Sequence, residues 1–281
     1  MVSIPVFEAS RPQLTAIAFR LLGSIHDAED AVQNAWIKAA PVTDDDLRNP
    51  AAYLTTVLTR ECLDHLRIRQ RRGEEPLLAD LLADNEVAAD ERYLRRENIS
   101  RALMVVLDRL TPAQRVAYVL HDLFAVPFKD VAATLGTSPD NAKKHASRAR
   151  QRINHTGPVP ATSTIDSALV DAFLTAAADG NTARMVALMA EDCVRVADRT
   201  LIPDHTPSAM IGAADIAQET ALFADRIRAS TPMLDNGRPV HAIAPGGHLL
   251  AVIDITIEAN RITRIEISRT EAVAHLSMPL S

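Results

Sequence analysis

Within FKDVAATLGTSPDNAKKHASRARQRI, residues 128–153, six Lys or Arg side chains stand against two Asp, in a chain whose formal net charge is −6. At 100° per residue, Ala142, Ala146, Ala149 and Ile153 share one face of a helix. Asp140, Lys144, Ser147, Arg148 and Gln151 then point the other way, with Asn141, Lys143 and Arg152 on the flanks. The chemistry open to that outer face is recognition of a polyanion. Cations can reach phosphate oxygens, and amide or guanidinium groups can reach base edges in a major groove. A merely solvated basic face would carry similar charge, but what precedes it argues otherwise. Phe128–Leu135 reads as a short helix, Gly136 allows the left-handed turn that ends it, and Ser138-Pro139 supplies the cap and first position of the next. That is a helix-turn-helix.

One such helix grips DNA weakly. Four to six phosphate contacts would give a log–log salt slope of roughly −4 to −5, so a second contact is needed. Residues 50–72, NPAAYLTTVLTRECLDHLRIRQRR with its leading Asn49, provide one. Leu54, Val57, Leu58, Cys62 and Leu66 form an apolar stripe, while Arg60, Arg67, Arg69, Arg71 and Arg72 crowd the C-terminal half. Cations there also suit the helix dipole, so part of the run has a structural explanation.

The elements that must position these surfaces are helical. Apolar spacing predicts helices over residues 11–40, divided at Gly23, with Ser24 as a cap and Ala28, Ala31, Val32, Ala35 and Trp36 on one face. Residues 73–91 are acidic and lack a clear period, reading as linker with at most a short helical turn, and the domain boundary is set at 73–98. Helical pattern resumes with Leu94, Ile99, Leu103, Val106, Leu107 and Leu110, and Thr111-Pro112 opens the helix PAQRVAYVLHDLF. A second linker, 156–164, follows. From Ile165 the pattern becomes α+β: a helix closed by Gly180, a second helix through NTARMVALMAEDC, a strand CVRVADRT and a helix GAADIAQETALFADRIRA. Then come the strands of NGRPVHAIAP and AVIDITIEANRITRIEISRT, with Glu258–Arg261 as the turn.

At 281 residues, several domains are expected. Hydrophobic residues make up 47%, which fits packed domains rather than a disordered chain. Residues 1–155 carry as many Lys and Arg as Asp and Glu, so the second part holds the whole −6. Only the first part can face nucleic acid, through local patches. Cys62 and Cys193 lie in apolar-periodic segments and read as reduced, buried thiols. No Cys/His spacing suggests a metal, and no cofactor is expected. MVSIPVFEASRPQL lacks a cationic start before an apolar run, so the expectation is a cytoplasmic protein with no signal peptide.

In this order, the two basic surfaces resemble an extracytoplasmic-function sigma factor of the sigma-70 class. RLLGSIHDAEDAVQNAWIKA resembles the region 2 helix pair, residues 50–72 the helix that opens the −10 element, and residues 107–153 the region 4 that reads the −35 element. Residues 165–276 resemble a SnoaL-like domain, an α+β cone with a curved antiparallel sheet around a pocket. The resemblance implies region 2 over 1–72, region 4 over 99–155 and a SnoaL-like regulatory domain over 165–281. It implies core RNA polymerase and promoter DNA as partners, a possible small-molecule ligand for the last domain, and no enzymatic activity. Asp27, Glu29, Asp30, Gln33 and Asn34 would meet core polymerase. Tyr53, Thr56, Arg60, Asp64, Arg67 and Arg71 would line the −10 surface, and Asp140, Asn141, Lys143, Lys144, Ser147, Arg148 and Arg152 the −35 surface. The family's Trp-Leu-Pro-Glu-Pro linker string is replaced here by GEEPLLADLL, and its Asp-Gly-Gly run by VADRTLIPDHTP.

The alternative is a helix-turn-helix regulator fused to a small-molecule-binding or cyclase-type domain. Catalysis in such a cone needs a carboxylate or imidazole with a shifted pKa inside it. Asp198, His241, His248 and Asp254 are the candidates, and no spacing links them. His65 and His121 read as surface or internally satisfied imidazoles.

Overall fold

The computed structural model describes residues 3–42, 47, 49–72, 84–154, 164–204, 206–269 and 275–279. They fall into two compact units, Met1–Ile153 and Asn154–Ser281.

The first unit is helical: α1 (Ile4–Leu22), α2 (Ile25–Ala39), α3 (Pro50–Arg72), α4 (Asp84–Arg96), α5 (Arg101–Leu107), α6 (Pro112–Tyr118), α7 (Phe128–Leu135) and α8 (Pro139–Ile153). The first helix begins at Ile4, earlier than the expected residue 11. Pro5 sits in its opening turn, where the missing N–H has no partner to lose. Phe7 then packs on Trp36 with ring centroids 4.5 Å apart. Gly23 ends α1 at φ 85°, donating its N–H to the Phe19 carbonyl at 2.8 Å. A left-handed residue is needed there because α2 starts two positions later and folds straight back onto α1.

Two distant side chains lock that turn. Ser24 accepts from the Asp27 N–H, and buried Asp90 accepts from the Ile25 N–H at 2.7 Å. Arg69 donates to the Leu22 carbonyl at 3.0 Å and pairs with the Asp27 carboxylate. Orphan carbonyls at the end of one helix and orphan amides at the start of the next are thus satisfied together. Asp90 belongs to a 13-residue helix, α4, where the sequence suggested linker. That helix buries only Asp90, Tyr93 and Leu94, which is too thin an apolar stripe to show a period. The rest of the proposed linker, including GEEPLLADLL, lies outside the described residues, as does 155–163.

Ser100 caps α5, and Thr111 with Gln114 forms a reciprocal capping box on α6. Beyond Tyr118 the helix widens into a π turn, Val119–Leu123. His121 there faces the Val126 carbonyl from Nδ1 at 3.0 Å and stacks on Phe128, so it is satisfied within the fold.

The second unit sets α9 (Thr164–Ala178), α10 (Thr182–Leu188), α11 (Ala213–Ala221) and α12 (Ala224–Ile227) with a seven-stranded sheet. Its strands are β1 (Met189–Ala197), β2 (Ala209–Ile211), β3 (Ser230–Asp235), β4 (Arg238–Ile243), β5 (Ala251–Glu258), β6 (Arg261–Ser268) and β7 (Leu276–Ser277), in the order β2-β1-β6-β5-β4-β3-β7. The α+β class stands, but the sheet is mixed rather than antiparallel, because β1 runs parallel to β6. Three further readings are corrected. The strand β1 starts at Met189, where helix was expected through Cys193, since pairing with β6 begins at Met189 opposite Ile262. The single helix expected over 212–229 breaks at Leu222–Phe223. The strands β2, β3 and β7 were not anticipated, although Asn236-Gly237, with φ of 48° and 83°, is the hairpin turn that joins β3 to β4. The turn at Ala259-Asn260 was read correctly.

Candidate nucleic-acid interface

The helix-turn-helix forms as its residues dictate. Gly136 closes α7 at φ 66°, and a Cβ there would meet nothing within 4 Å, so the requirement is backbone conformation, not space. Ser138 accepts from the Asn141 N–H at 3.3 Å and caps α8. Ala142, Ala146 and Ala149 are fully buried and Ile153 is 1% exposed, which turns the polar face outward. Asp140, Asn141, Lys143, Lys144, Ser147, Arg148 and Arg152 are all exposed. They are not equally free. Arg152 donates to Gln114 at 3.2 Å, and Lys143 lies 3.5 Å from Asp140. Arg150, which sequence reasoning left unassigned, pairs with Asp122 at 2.8 Å and ties α8 to the π turn. Arg148 carries no hydrogen bond or ion pair to a described residue.

On α3 the other basic surface divides in two. Arg69 points inward to the α1–α2 turn and is structural. Arg67 and Arg71 stay exposed, with Arg67 3.7 Å from the Asp64 carboxylate and Arg71 Nε donating to the Arg67 carbonyl at 3.4 Å. Tyr53 and Thr56 are half-buried, and the Thr56 hydroxyl returns to the Ala52 carbonyl. Arg60 is exposed yet engaged: its guanidinium donates to the Ala133 carbonyl of α7 at 3.3 Å. The helix bearing one candidate DNA surface therefore rests against the turn motif bearing the other.

The α2 face offers Glu29, Asp30, Gln33 and Asn34 to solvent, whereas Asp27 is held by Arg69. Sequence reasoning missed Ile37, 60% exposed and one turn beyond Gln33 and Asn34. Its signal was legible: it falls outside the stripe formed by Ala28, Ala31, Val32, Ala35 and Ala39.

Residues 6–72 match the Sigma-70 region 2 family, and residues 100–153 match Sigma-70, region 4. By its helical unit, the chain belongs to the sigma-70 family. The ECF RNA polymerase sigma factor SigJ of Mycobacterium tuberculosis is 45% identical over 161 residues, covering 54% of this chain and 50% of that protein. The probable ECF RNA polymerase sigma factor SigI of the same organism is 33% identical over 153 residues, covering 53% of each. The chain thus spans about half the length of the curated relatives it matches. A crystal structure of the M. tuberculosis extracytoplasmic function sigma factor SigJ is 30% identical, covers 95% of this chain and 96% of that one, and superposes with a TM-score of 0.45.

In these terms α1–α3 make up region 2, and α5–α8 make up region 4. The two are joined by more than Arg60. Arg115 of region 4 is 4% exposed, donates from Nε to the Arg20 carbonyl of α1 at 2.9 Å, and pairs with Asp108 at 2.6 Å. Arg20 in turn lies over the Phe124 ring at 5.4 Å.

None of the four candidate catalytic groups of the second unit lines its apolar cavity, and His241 lines a separate pocket with Asp171 of α9. Asp198 is half-buried and accepts from the Thr200 amide and hydroxyl, which holds its carboxyl below the usual range. His241 is pushed down by burial, partly offset by Asp171 at 3.9 Å. Asp254 is pushed up by burial despite Arg238 at 2.6 Å. His248 is 1% exposed, beside the turn that ends β4. Among the described residues no group of three or more His, Cys, Asp or Glu could hold a metal, and no helix is long and apolar enough to cross a membrane.

Proposed function

We propose that the protein is a cytoplasmic RNA polymerase sigma factor that directs core polymerase to promoters and initiates transcription. In this reading residues 1–72 act as region 2, 99–155 as region 4, and 165–281 as a SnoaL-like domain that tunes activity without catalysis. Glu29, Asp30, Gln33, Asn34 and Ile37 meet the core enzyme, while Asp27 shapes that face from within. Tyr53, Thr56, Arg60, Asp64, Arg67 and Arg71 serve the −10 element, where an extruded base can stack and be read. Asp140, Asn141, Lys143, Lys144, Ser147 and Arg148 serve the −35 element, with Arg152 at the edge.

The observation that carries this reading is the outward polar face of α8, set on a buried alanine face, in the same unit as region 2. Its geometry also implies an opening step. Boxes about 25 base pairs apart are separated by roughly 85 Å at 3.4 Å per base pair. A compact unit of this length has a radius of gyration near 15 Å. It cannot touch both boxes while Arg60 holds Ala133 and Arg115 holds Arg20. Binding of core polymerase would supply the free energy that separates regions 2 and 4.

Run-off transcription tests the assignment. The full chain with bacterial core polymerase should initiate at discrete promoters selected from genomic DNA, and should bind those promoters weakly when alone. Tight, specific binding without polymerase, or no initiation with it, would overturn the reading.

A further inference from the structure

The second unit holds a narrow cavity of about 70 Å³ that opens to solvent at its mouth, between α9, the α11–α12 segment and the inner face of the sheet. Its wall is apolar almost throughout, with Phe173 from α9 and Ile253 and Ile265 from the sheet among the residues that line it. Such a surface gains from taking up hydrocarbon and offers little to a sugar or a nucleotide.

Charge enters at two places only. Deep in the wall, Arg195 is 2% exposed and its guanidinium is fully used. Nε and Nη2 meet the two oxygens of Glu219, and Nη1 donates to the Pro207 and Ser208 carbonyls at 2.8 and 3.1 Å. This pair is neutral overall and has no cation left to offer. Arg226 differs. It lines the cavity yet is exposed, and its guanidinium carbon sits 5.8 Å from the centroid of Phe223, another lining residue. Its neighbour Arg228 is paired with Asp225, whereas Arg226 makes no ion pair with a described residue. An apolar chamber with a single unneutralised guanidinium at its rim fits one kind of molecule: a hydrocarbon body ending in one acidic group. Arg prefers a carboxylate because its planar fork bonds both oxygens at once.

We propose that this cavity binds an apolar carboxylate, with the hydrocarbon inside and the acid on Arg226. Ligand occupancy would stiffen the α11–α12 segment, which contributes both Glu219 and Arg226. The site needs neither polymerase nor DNA, so its failure and the failure of the promoter reading show up in separate measurements.

Calorimetric titration of the full chain with decanoate, decanol and decyltrimethylammonium tests it. Decanoate should bind saturably at one site per chain, more tightly than decanol, and the cationic amphiphile should not bind. Arg226→Gln, an exposed position, should weaken decanoate about fivefold, at the upper end for a solvent-facing ion pair, and leave decanol unchanged. A diazirine-bearing decanoate should label peptides between residues 173 and 267. Absence of saturable binding would overturn the proposal, as would equal affinity for the three probes, indifference to R226Q, or labelling confined to residues 1–153.

Discussion

The Nε of Arg115 lies 2.9 Å from the carbonyl oxygen of Arg20, a residue 95 positions earlier in the chain. Through that bond a buried cation of region 4 closes the last turn of the first helix of region 2, while Asp108 neutralises it at 2.6 Å. Removing the guanidinium leaves Asp108 buried without its counter-charge and the carbonyl without its donor. Arg115→Ala should therefore destabilise the helical unit by about 3–5 kcal/mol. Fluorescence of Trp36, the sole tryptophan and packed on Phe7 in this unit, gives the unfolding midpoint that checks it.

On α8, Arg148 and Arg152 should part company. Arg148 has no partner among the described residues, and if it forks onto a guanine its replacement by Ala costs about 1–3 kcal/mol at one −35 position. Arg152 is held by Gln114, so its loss should shift promoter strength evenly and slightly. Transcription from single-base promoter variants separates the two outcomes. A uniform loss with Arg148→Ala would show that it holds only phosphate.

Acid should weaken the second unit through His241. Burial sets its folded-state pKa below the ordinary 6.5, so the native state binds fewer protons than the unfolded chain. That contribution is complete above 6.5 and fades as pH falls through the lowered value. Asp254 is displaced upward from 3.8, so its contribution is present below 3.8 and fades as pH rises. Thermal unfolding of the full chain and of His241→Gln between pH 7.5 and 5 isolates the histidine. The variant should lose less stability over that interval.

Arg195 and Glu219 should behave as a pair. Either residue changed alone strands a buried charge, which costs about 3–5 kcal/mol, whereas Arg195→Met with Glu219→Leu should restore most of it. Urea unfolding of the two single variants and the double variant closes the cycle.

Neither thiol should react while the chain is folded. Both cysteines are fully buried. Burial drives the Cys62 thiol far above its usual range and pushes Cys193 up to about 11, so neither offers thiolate at pH 8. Iodoacetamide should leave both intact until denaturant is added, as peptide mass measurement will show.

What was legible in the sequence was local. The caps at Ser24, Thr111 and Ser138, the glycines at 23 and 136 and the alanine spacing of α8 each act within one turn of helix, where three or four residues decide the outcome. The two basic helices and the hairpin turn at Ala259-Asn260 could be read for the same reason. Long-range partners could not. Asp90 looked like one more acid in a linker until it closed the N-terminus of α2, 65 positions away. Asp27 and Arg69 looked like surface charges until they paired, and the first residues of β1, from Met189, looked helical until β6 drew alongside them in parallel. Periodicity records which face of an element is buried, but it carries no information on what that face meets. Only the tertiary structure could decide that Arg60 rests on the helix-turn-helix, or that Arg226 stands alone at the rim of an apolar chamber.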